Sequence, residues 1–307
     1  MDGILLVNLG TPEAPTPGAV RRYLAEFLGD PRVVELPRWL WLPILHGIVL
    51  RTRPAKSAAK YASIWTPEGS PLMVHTRRQA QLLGRMLAER RVAVEFAMRY
   101  GTPSLADGLR KLKDCGRVTV LPLYPQFARS TTESIRDVLP KGTSMVESFH
   151  DHPAYIAALE AVVRRHWEAH GRGDKLVMSF HGLPKRAVDR GDPYQKQCLA
   201  TAKILAGVLR LAPADYVVTF QSRFGAAEWL QPYTEPTLVE LARQGVKRVD
   251  VFCPGFVSDC LETLEEIGME ARGAFLEAGG TAFHALPCLN EAPEWIVAMD
   301  RIAKPGA

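Results

Sequence analysis

The hydrophobic pattern of the chain alternates between short apolar runs and longer amphipathic segments. Each apolar run ends in glycine, proline or a polar turn, which predicts a buried strand. Such runs lie at 4–9, 94–99, 117–123, 144–149, 176–181, 216–221, 248–253 and 281–286. Segments with helical spacing lie between them, including 76–89, 154–170, 193–211 and 235–244. Strands that alternate with helices predict parallel sheets covered by helices on both faces.

The two halves of the chain repeat one local pattern. "RVTVLPLYPQF" at 117–127 and "RVDVFCPGF" at 248–256 each combine a strand, a proline and a phenylalanine before a helix start. We therefore predict an α/β fold of two similar Rossmann-like domains, each a four-stranded parallel sheet flanked by helices. The first is predicted over 1–150 with a C-terminal helix at about 290–307, and the second over 151–289. Because such sheets bind ligands beyond the carboxyl ends of their strands, we expect the active site in the cleft between the domains.

Composition and charge are those of a folded protein with two domains. The chain has 307 residues, of which 47% are hydrophobic and 23% are charged, and its net charge is +5. This small positive excess argues against nucleic acid as a partner. The start of the chain lacks a basic segment followed by a cleavage site, so we expect no signal peptide. The five cysteines are scattered without CxxC spacing, which is typical of a reducing compartment and favours a cytoplasmic location.

An unusually apolar segment at 37–72 is predicted to form a lip or lid of the first domain. Within it, "WLWLPILHGIVL" at 39–50 is too short to span a bilayer and is interrupted by a proline. Arg38, Arg51 and Arg53 flank this run. It could admit an apolar substrate or touch the inner membrane peripherally, and packing in the core is the alternative.

A histidine stands at the end of the strand at 176–181, in "MSFHGLPKR". A lone histidine at a strand end more often caps a loop than performs chemistry. Imidazole nevertheless titrates near neutral pH and binds divalent metals, and this strand end lies where ligands bind. We therefore predict that His181 is a base or metal ligand, with Gly182 leaving room for a ligand to approach and Pro184 stiffening the loop.

An acidic stripe follows the strand at 248–253, in "SDCLETLEEIGME". If this segment is a helix, Asp259, Glu262 and Glu266 lie on one face. The helix dipole favours acids in the first turn, which explains Asp259 and Glu262 but not the deeper Glu266. Because neighbouring carboxylates repel one another unless cations neutralise them, the stripe predicts a path for a divalent cation.

Aromatic side chains follow the strand at 216–221, where Trp229 and Tyr233 could form a wall for a flat ligand. A structured loop is the alternative interpretation. Together, an imidazole, a carboxylate stripe and an aromatic wall indicate metal handling on a planar hydrophobic ligand.

The chain resembles the ferrochelatase family. "LVMSFHGLPKRAVDRGDPY" at 176–194 is similar to the family signature, a strand followed by S-x-H-G-L-P and a G-D-x-Y turn. Six further blocks appear in the family's order: "LLVNLGTPEAP", "LRTRPAKSAAKYASIWTPEGSPL", "MRYGTPS", "LPLYPQFARSTTES", "TFQSRFGAAEWLQPYTEPTL" and "PGFVSDCLETLEEI". The resemblance covers nearly the whole chain and implies a chelatase-like fold of two similar domains.

The resemblance also implies an activity, the last step of heme biosynthesis. Fe2+ is inserted into protoporphyrin IX to give protoheme, and two protons are released. His181 and Glu262 are implied as catalytic residues. Implied metal-site residues are His181, Glu262, Glu266 and Asp259. Implied porphyrin-binding residues are Leu9, Tyr61, Ser70, Arg99, Tyr100, Tyr124, Trp229 and Phe256.

Fe2+ is a substrate in this activity, and no resident cofactor is required. Some relatives carry a [2Fe-2S] cluster held by cysteines. This chain has Arg129 where one group of relatives has a cluster cysteine, and its own cysteines lack cluster spacing. We therefore expect no cluster. We also expect a monomer rather than a dimer.

Two other functions stay open from the sequence. A cobalt or nickel chelatase would act on an early tetrapyrrole, but such substrates carry many carboxylates and the "WLWLP" run favours an apolar one. A non-catalytic tetrapyrrole carrier would need the aromatic wall but not the acidic stripe. Within the family, the long segment at 51–75 favours protoporphyrin over coproporphyrin. Whether iron arrives from the histidine side or from the carboxylate side is left open.

Overall fold

The computed structural model describes residues 1–225 and 227–304, which divide into two compact units. The first unit comprises Met1–Tyr124, Ala128–Glu147 and the described residues from Met299 onward. The second comprises Pro125–Phe127 and Ser148–Ala298. Among the described residues, none of the helices combines the length and apolarity that a membrane crossing needs.

The first unit is built on a four-stranded parallel sheet with the strand order β2-β1-β3-β4. Its strands are β1 (Asp2–Asn8), β2 (Val92–Met98), β3 (Arg117–Pro122) and β4 (Ser144–Met145). Its α-helices are α1 (Pro17–Gly29), α2 (Arg38–Ile44), α3 (Leu50–Ile64), α4 (Pro71–Leu87), α5 (Leu105–Lys111) and α6 (Ser134–Arg136). Shorter helical segments lie at Leu45–Val49, Ala88–Arg90 and Arg129–Glu133. β1 lies inside the sheet and is buried from Gly3 onward, which is why it is apolar from Gly3 to Val7.

The second unit repeats this arrangement with the strand order β6-β5-β7-β8. Its strands are β5 (Lys175–His181), β6 (Tyr216–Gln221), β7 (Arg248–Phe252) and β8 (Ala282–Ala285). Its α-helices are α7 (Pro153–His170), α8 (Lys185–Asp189), α9 (Tyr194–Val208), α10 (Thr234–Arg243), α11 (Arg272–Glu277) and, up to Ala298, α12 (Pro293–Ala303). Further helical segments lie at Pro213–Asp215 and Glu262–Ala271.

The two units share one topology, which confirms the predicted pair of similar α/β domains. In both, the first strand along the chain is paired on one side with the second strand and on the other with the third. In both, a π-helix follows that third strand, at Arg129–Glu133 and at Glu262–Ala271. A π-helix bonds each backbone N–H to the carbonyl five residues back and often marks a functional site.

The predicted strands are present, and the main error of the prediction is the length of β4. β4 spans only Ser144–Met145, whereas the pattern predicted a strand over 144–149. The backbone leaves the ladder there, because the N–H of Phe149 bonds to the carbonyl of Pro125 at 2.9 Å. The start of α4 also differs from the predicted residue 76. The helix begins at Pro71, because proline suits the first helical position.

The segment at 37–72 is mostly helical, with one buried and one exposed apolar side. α2, the π-helix Leu45–Val49 and α3 follow one another, with prolines inside both α-helices. Trp41 is 7% exposed, and its Nε1–H donates to the carbonyl of Leu28 at 2.7 Å. Trp39 and Ile48, by contrast, are 79% and 59% exposed. The segment therefore packs on the core and presents an apolar surface.

The boundaries of the units differ from the predicted domains near Phe149 and in α12. The prediction placed both in the first domain. In the structure, Trp295 of α12 is fully buried in the second unit, with its ring 5.7 Å from that of Phe149 and 6.2 Å from that of Tyr155. From Met299 onward, α12 belongs to the first unit, where Asp300 pairs with Arg90 at 2.7 Å.

Candidate active site

His181 stands at the carboxyl end of β5, half-buried and in register with Gln221 at the end of β6. Its Nδ1 lies 2.6 Å from the carbonyl oxygen of Gly182. Because a carbonyl only accepts hydrogen bonds, Nδ1 carries the ring proton. The Nε2 of the neutral ring therefore keeps its lone pair for a proton or a metal ion. The ring centroid of Phe256 lies 6.3 Å away.

Gly182 has a different role from the predicted one. A Cβ at this position would lie 2.6 Å from the carbonyl oxygen of Gln221 and 3.1 Å from the ring of Trp229. The Gly182 N–H also donates to that carbonyl at 2.7 Å. The missing side chain thus lets the ends of β5 and β6 close on each other, and the space that it leaves is filled by protein.

The loop after His181 is fastened to the aromatic loop that follows β6. The N–H of Leu230 bonds to the carbonyl of Leu183, and that of Lys185 to the carbonyl of Glu228, both at 2.9 Å. Trp229 stands between these bonds, and its Nε1–H donates to the carbonyl of Phe224 at 2.8 Å. The indole is therefore held in a fixed position beside the histidine loop.

Gln221 connects the histidine strand to the acidic helix, and sequence reasoning did not select it as a site residue. Its side-chain Nε2 donates to the carbonyl of Glu262 at 2.9 Å, and its Oε1 accepts from Ser179 Oγ at 2.6 Å. Ser179 is itself bonded to Thr234 at 2.8 Å. The signal was available, because Gln221 ends the strand next to β5, the same position that singled out His181.

Ser222 holds the Glu266 carboxylate with two hydrogen bonds. Its N–H donates to Oε1 at 2.7 Å, and its Oγ donates to Oε2. The backbone of Ser222 has a φ of 65°, which is uncommon for a residue other than glycine. Such strained positions cluster at functional sites, and this one aims both donors of Ser222 at one carboxylate.

The pKa of the Glu266 carboxyl is raised above its ordinary value, chiefly because the group is buried. Hydrogen bonds from Ser222 and the positive charge that His181 carries when protonated lower this pKa, and the like charge of Glu262 raises it. The charge state of the Glu266 carboxyl therefore responds to the side chains of His181 and Glu262. Such a carboxyl can bind and release protons closer to neutral pH than an exposed glutamate.

Glu262 and Asp259 differ in their surroundings. Glu262 opens the π-helix and is half-buried, with its backbone carbonyl bound to Gln221. Asp259 precedes the helix instead of lying on its face. One of its carboxylate oxygens accepts from Thr263 Oγ1 at 2.9 Å and the other from Asn290 Nδ2 at 2.6 Å. The predicted metal contact of Asp259 stays a prediction, and the structure gives this residue a part in fixing the start of the helix.

The predicted porphyrin residues Arg99 and Tyr100 form a buried network with Asp30 in the first unit. Arg99 Nη2 donates to Asp30 Oδ2 at 2.6 Å, and the Tyr100 hydroxyl donates to the same oxygen at 2.8 Å. Tyr100 is only 1% exposed, and burial raises the pKa of its hydroxyl. Porphyrin contact by this pair stays a prediction.

The other predicted residues of the first unit lie near strand ends or in the 37–72 segment. The Leu9 carbonyl accepts from the N–H of Tyr100 at 2.8 Å. The next residue, Gly10, has a φ of 123°, and a Cβ there would lie 1.9 Å from the Tyr100 carbonyl oxygen. Ser70 is buried and accepts from Thr11 Oγ1 at 2.8 Å.

Two aromatic residues complete the predicted set of the first unit. Tyr61 is 9% exposed, and its ring packs edge-on against Trp65 at 6.3 Å. Tyr124 follows β3 and is half-buried. Porphyrin contact by these two residues stays a prediction.

The second unit therefore holds the imidazole of His181, whose Nε2 is not used by Gly182, and the carboxylates of Glu262 and Glu266 on a π-helix. An imidazole and carboxylates are ligands for borderline divalent metals, and both can accept protons. The arrangement suits a reaction in which a divalent metal arrives and protons leave.

Comparison with known proteins places these features in a family. A family model described as ferrochelatase matches residues 1–306. A ferrochelatase of Azoarcus sp. (strain BH72) is 60% identical over 311 residues, which cover 97% of this chain and 86% of that protein. A ferrochelatase of Aromatoleum aromaticum is 58% identical over 317 residues, covering 98% of this chain and 87% of the relative.

Solved structures support the fold. SirB from Bacillus subtilis with Fe3+ matches with a TM-score of 0.54 and 12% identity, covering 98% of this chain and 95% of that one. CbiX, described as the terminal enzyme of siroheme biosynthesis in denitrifying bacteria, matches with a TM-score of 0.53 and 16% identity, covering 99% of both chains. At such low identity, the likeness shows the fold alone.

Proposed function

Because the chain belongs to the ferrochelatase family, we propose that it inserts Fe2+ into protoporphyrin IX, giving protoheme and two protons. The observation that carries the proposal is the high identity to curated ferrochelatases over nearly the whole chain. The same observation favours this activity over a cobalt or nickel chelatase and over a non-catalytic carrier.

His181 is proposed as the first proton acceptor. Metal insertion replaces two pyrrole N–H bonds with metal–nitrogen bonds, so both protons need an acceptor. Since Nδ1 of His181 donates to Gly182, only Nε2 can accept. A positioned base of this kind typically accelerates proton transfer by about 10²–10⁴-fold.

Glu262 and Glu266 are proposed as the path for the metal or for the second proton. Burial raises the pKa of the Glu266 carboxyl, which favours proton uptake there. The two bonds from Ser222 hold this carboxyl in place, and the bond from Gln221 holds the backbone of Glu262. Asp259 is proposed as the third acid of this path, at the start of the helix.

The porphyrin-binding residues are proposed separately for each unit. In the second unit they are Trp229 and Phe256, and the closeness of the Phe256 and His181 rings supports this assignment. In the first unit they are Leu9, Tyr61, Ser70, Arg99, Tyr100 and Tyr124. Alanine variants of Trp229 and Phe256 should raise KM for porphyrin more than they lower kcat.

We further propose that the enzyme works without a [2Fe-2S] cluster. Cluster iron is held by thiolates. Burial raises the pKa of the thiols of Cys198, Cys253, Cys260 and Cys288, which favours their neutral form. Iron and acid-labile sulfide measured on the purified protein should both be substoichiometric, and stoichiometric sulfide would refute this point.

We also propose a cytoplasmic monomer that touches the inner membrane through 39–50. Trp39, Leu40 and Ile48 are exposed, and Arg38 and Arg51 flank them. Apolar side chains beside cations suit an anionic lipid surface. Trp39→Ser with Ile48→Ser should reduce sedimentation with anionic vesicles, whereas Val138→Ser, which alters an exposed apolar residue elsewhere, should not.

The monomeric state is tested separately. Light scattering of the wild type should give the mass of one chain.

The activity is tested by anaerobic visible spectra of the purified protein with a panel of metals and tetrapyrroles. The panel contains Fe2+, Zn2+, Co2+ and Ni2+, each with protoporphyrin IX, coproporphyrin or an early tetrapyrrole. We expect the fastest Fe2+ insertion with protoporphyrin IX. Insertion restricted to Co2+ or Ni2+ and an early tetrapyrrole would favour the chelatase alternative. Tight heme binding without any insertion would favour a carrier.

A further inference from the structure

A second group of metal-binding side chains lies in the second unit, well away from His181. It consists of His166 on α7, Asp250 on β7 and His284 on β8. One ligand atom from each residue lies within 4.8 Å of those from the other two. Asp250 is in register with Leu176, five residues before His181 along the sheet, which corresponds to about 16 Å.

The fold brings these side chains together from a helix and a sheet. Asp250 and His284 are direct neighbours in the β7–β8 ladder, so their side chains leave the same face of the sheet. Val249 and Val251 point to the other face and pack in the core. α7 supplies His166, and one turn later His170, whose ring centroid lies 4.8 Å from that of His166 and 5.6 Å from that of His284.

Asp250 leaves one carboxylate oxygen without a hydrogen bond, although the residue is 1% exposed. Its Oδ2 is satisfied, because it accepts from Trp167 Nε1 and from the N–H of Gly173, both at 2.8 Å. Its Oδ1 is the atom that faces the two imidazoles. The Nε2 of His166, whose side chain is 10% exposed, is likewise buried without a hydrogen bond. Two buried polar atoms that face each other without a partner call for a water or an ion.

The distances from the Asp250 carboxylate to the two imidazoles fit coordination of a shared metal ion better than direct hydrogen bonds. Asp250 Oδ1 lies 3.3 Å from His284 Nδ1 and 3.6 Å from His166 Nε2. Ligands about 2.1 Å from a tetrahedral ion are about 3.4 Å apart, so both separations already match. Two imidazoles and a carboxylate form a donor set for zinc and for divalent iron, cobalt or nickel.

Arg248 is the competing cation. Its Nη2 lies 3.2 Å from His284 Nδ1 and 3.6 Å from Asp250 Oδ1, without bonding the latter. The guanidinium already bonds the carbonyls of His170 and Gly171 at 2.9 and 2.5 Å. It can therefore release His284 to a metal and keep its place at the end of α7.

We propose that His166, Asp250 and His284 bind a first-row divalent transition-metal ion at a site separate from the chelation site, with His170 within reach as a further ligand. The site is on the face of the sheet that α7 covers, and it is independent of the proposed function.

The test is a titration of the porphyrin-free, metal-free protein with Co2+, followed by its visible absorption and by equilibrium dialysis. The variants are His166→Gln with His284→Gln, and Asp250→Asn, whose amide oxygen can still accept from Trp167 and Gly173. His46→Gln changes an exposed histidine of the first unit and is the matched control. His181→Ala reports separately on the chelation site.

We expect the double variant and Asp250→Asn to bind one Co2+ fewer than the wild type, or to bind it about 100-fold more weakly, since losing even an outer partner of a ligand costs about 10–100-fold. His46→Gln and His181→Ala should keep this ion. Zn2+ should displace Co2+ from the wild type. The proposal is overturned if the double variant and the Asp250→Asn variant are folded and bind Co2+ like the wild type. It is also overturned if His181→Ala abolishes all Co2+ binding.

Discussion

At the scale of single residues, the candidate site depends on donors and acceptors that hold each reactive group in one state. The Gly182 carbonyl fixes the tautomer of His181, and Ser222 fixes the orientation of the Glu266 carboxylate. The sequence identified His181 from its position at a strand end and the two glutamates from the acidic stripe of the predicted helix. It could not identify the strained backbone of Ser222, because that conformation depends on the helix packed against it.

Removing the Glu266 charge should change how stability depends on pH. Since the folded-state pKa of this carboxyl is raised, its contribution to stability is fully present below its ordinary pKa of 4.5 and is lost as the pH rises through the raised value. Glu266→Gln cannot titrate. The free energy of unfolding of the wild type minus that of the variant should therefore fall as the pH rises above about 4.5.

Urea unfolding of the iron-free and porphyrin-free protein over a range of pH measures this difference. Glu270→Gln removes an exposed carboxyl from the same helix and serves as the control. A difference that rises with pH, or that does not change, would contradict the assigned environment of Glu266.

A methyl group at Gly182 should disturb the site through lack of space. The Cβ of Gly182→Ala would meet the Gln221 carbonyl and the Trp229 ring, so we expect a loss of about 1–3 kcal/mol in stability and a lower chelation rate. Gly207→Ala is the control, because nothing lies within 4 Å of its Cβ in α9. It should stabilise the protein by about 0.5–1 kcal/mol. Equal melting temperatures for the two variants would show that the packing argument is wrong.

At the scale of elements, the hydrophobic pattern predicted the strands better than the helices. Buried parallel strands form continuous apolar runs, which are easy to recognise. The helices of the 37–72 segment were missed because prolines and tryptophans concealed the amphipathic pattern. The π-helix at Glu262–Ala271 was also out of reach, since its widened hydrogen bonding is set by packing and leaves Asp259 outside the helix.

Gln221 should matter because it joins β5 and the π-helix. Gln221→Met keeps the approximate volume but removes the hydrogen bonds that Gln221 makes with Ser179 and with the Glu262 carbonyl, and each buried loss costs about 1–3 kcal/mol. We expect lower stability in urea and a fall in kcat larger than any change in KM. Gln244→Met, at an exposed position, should change neither. A Gln221→Met protein with wild-type kcat would rule out this positioning role.

At the scale of the whole molecule, one topology occurs twice, and the acidic π-helix occurs in one copy only among the described residues. The two sheets have the same strand order, and each has a π-helix after its third strand. The first copy carries "RSTTE" there, and the second carries "ETLEEIGMEA". A repeated fold can thus carry different side chains at the same place in its two copies.

The most direct test of the account compares the initial rate of protoheme formation by the wild type and by His181→Ala, anaerobically, with Fe2+ and protoporphyrin IX. His46→Ala, which changes an exposed histidine, is the control and should keep the wild-type rate. If His181 accepts a pyrrole proton, its loss should lower kcat by about 10²–10⁴-fold. An undiminished rate in a folded His181→Ala protein would contradict the account.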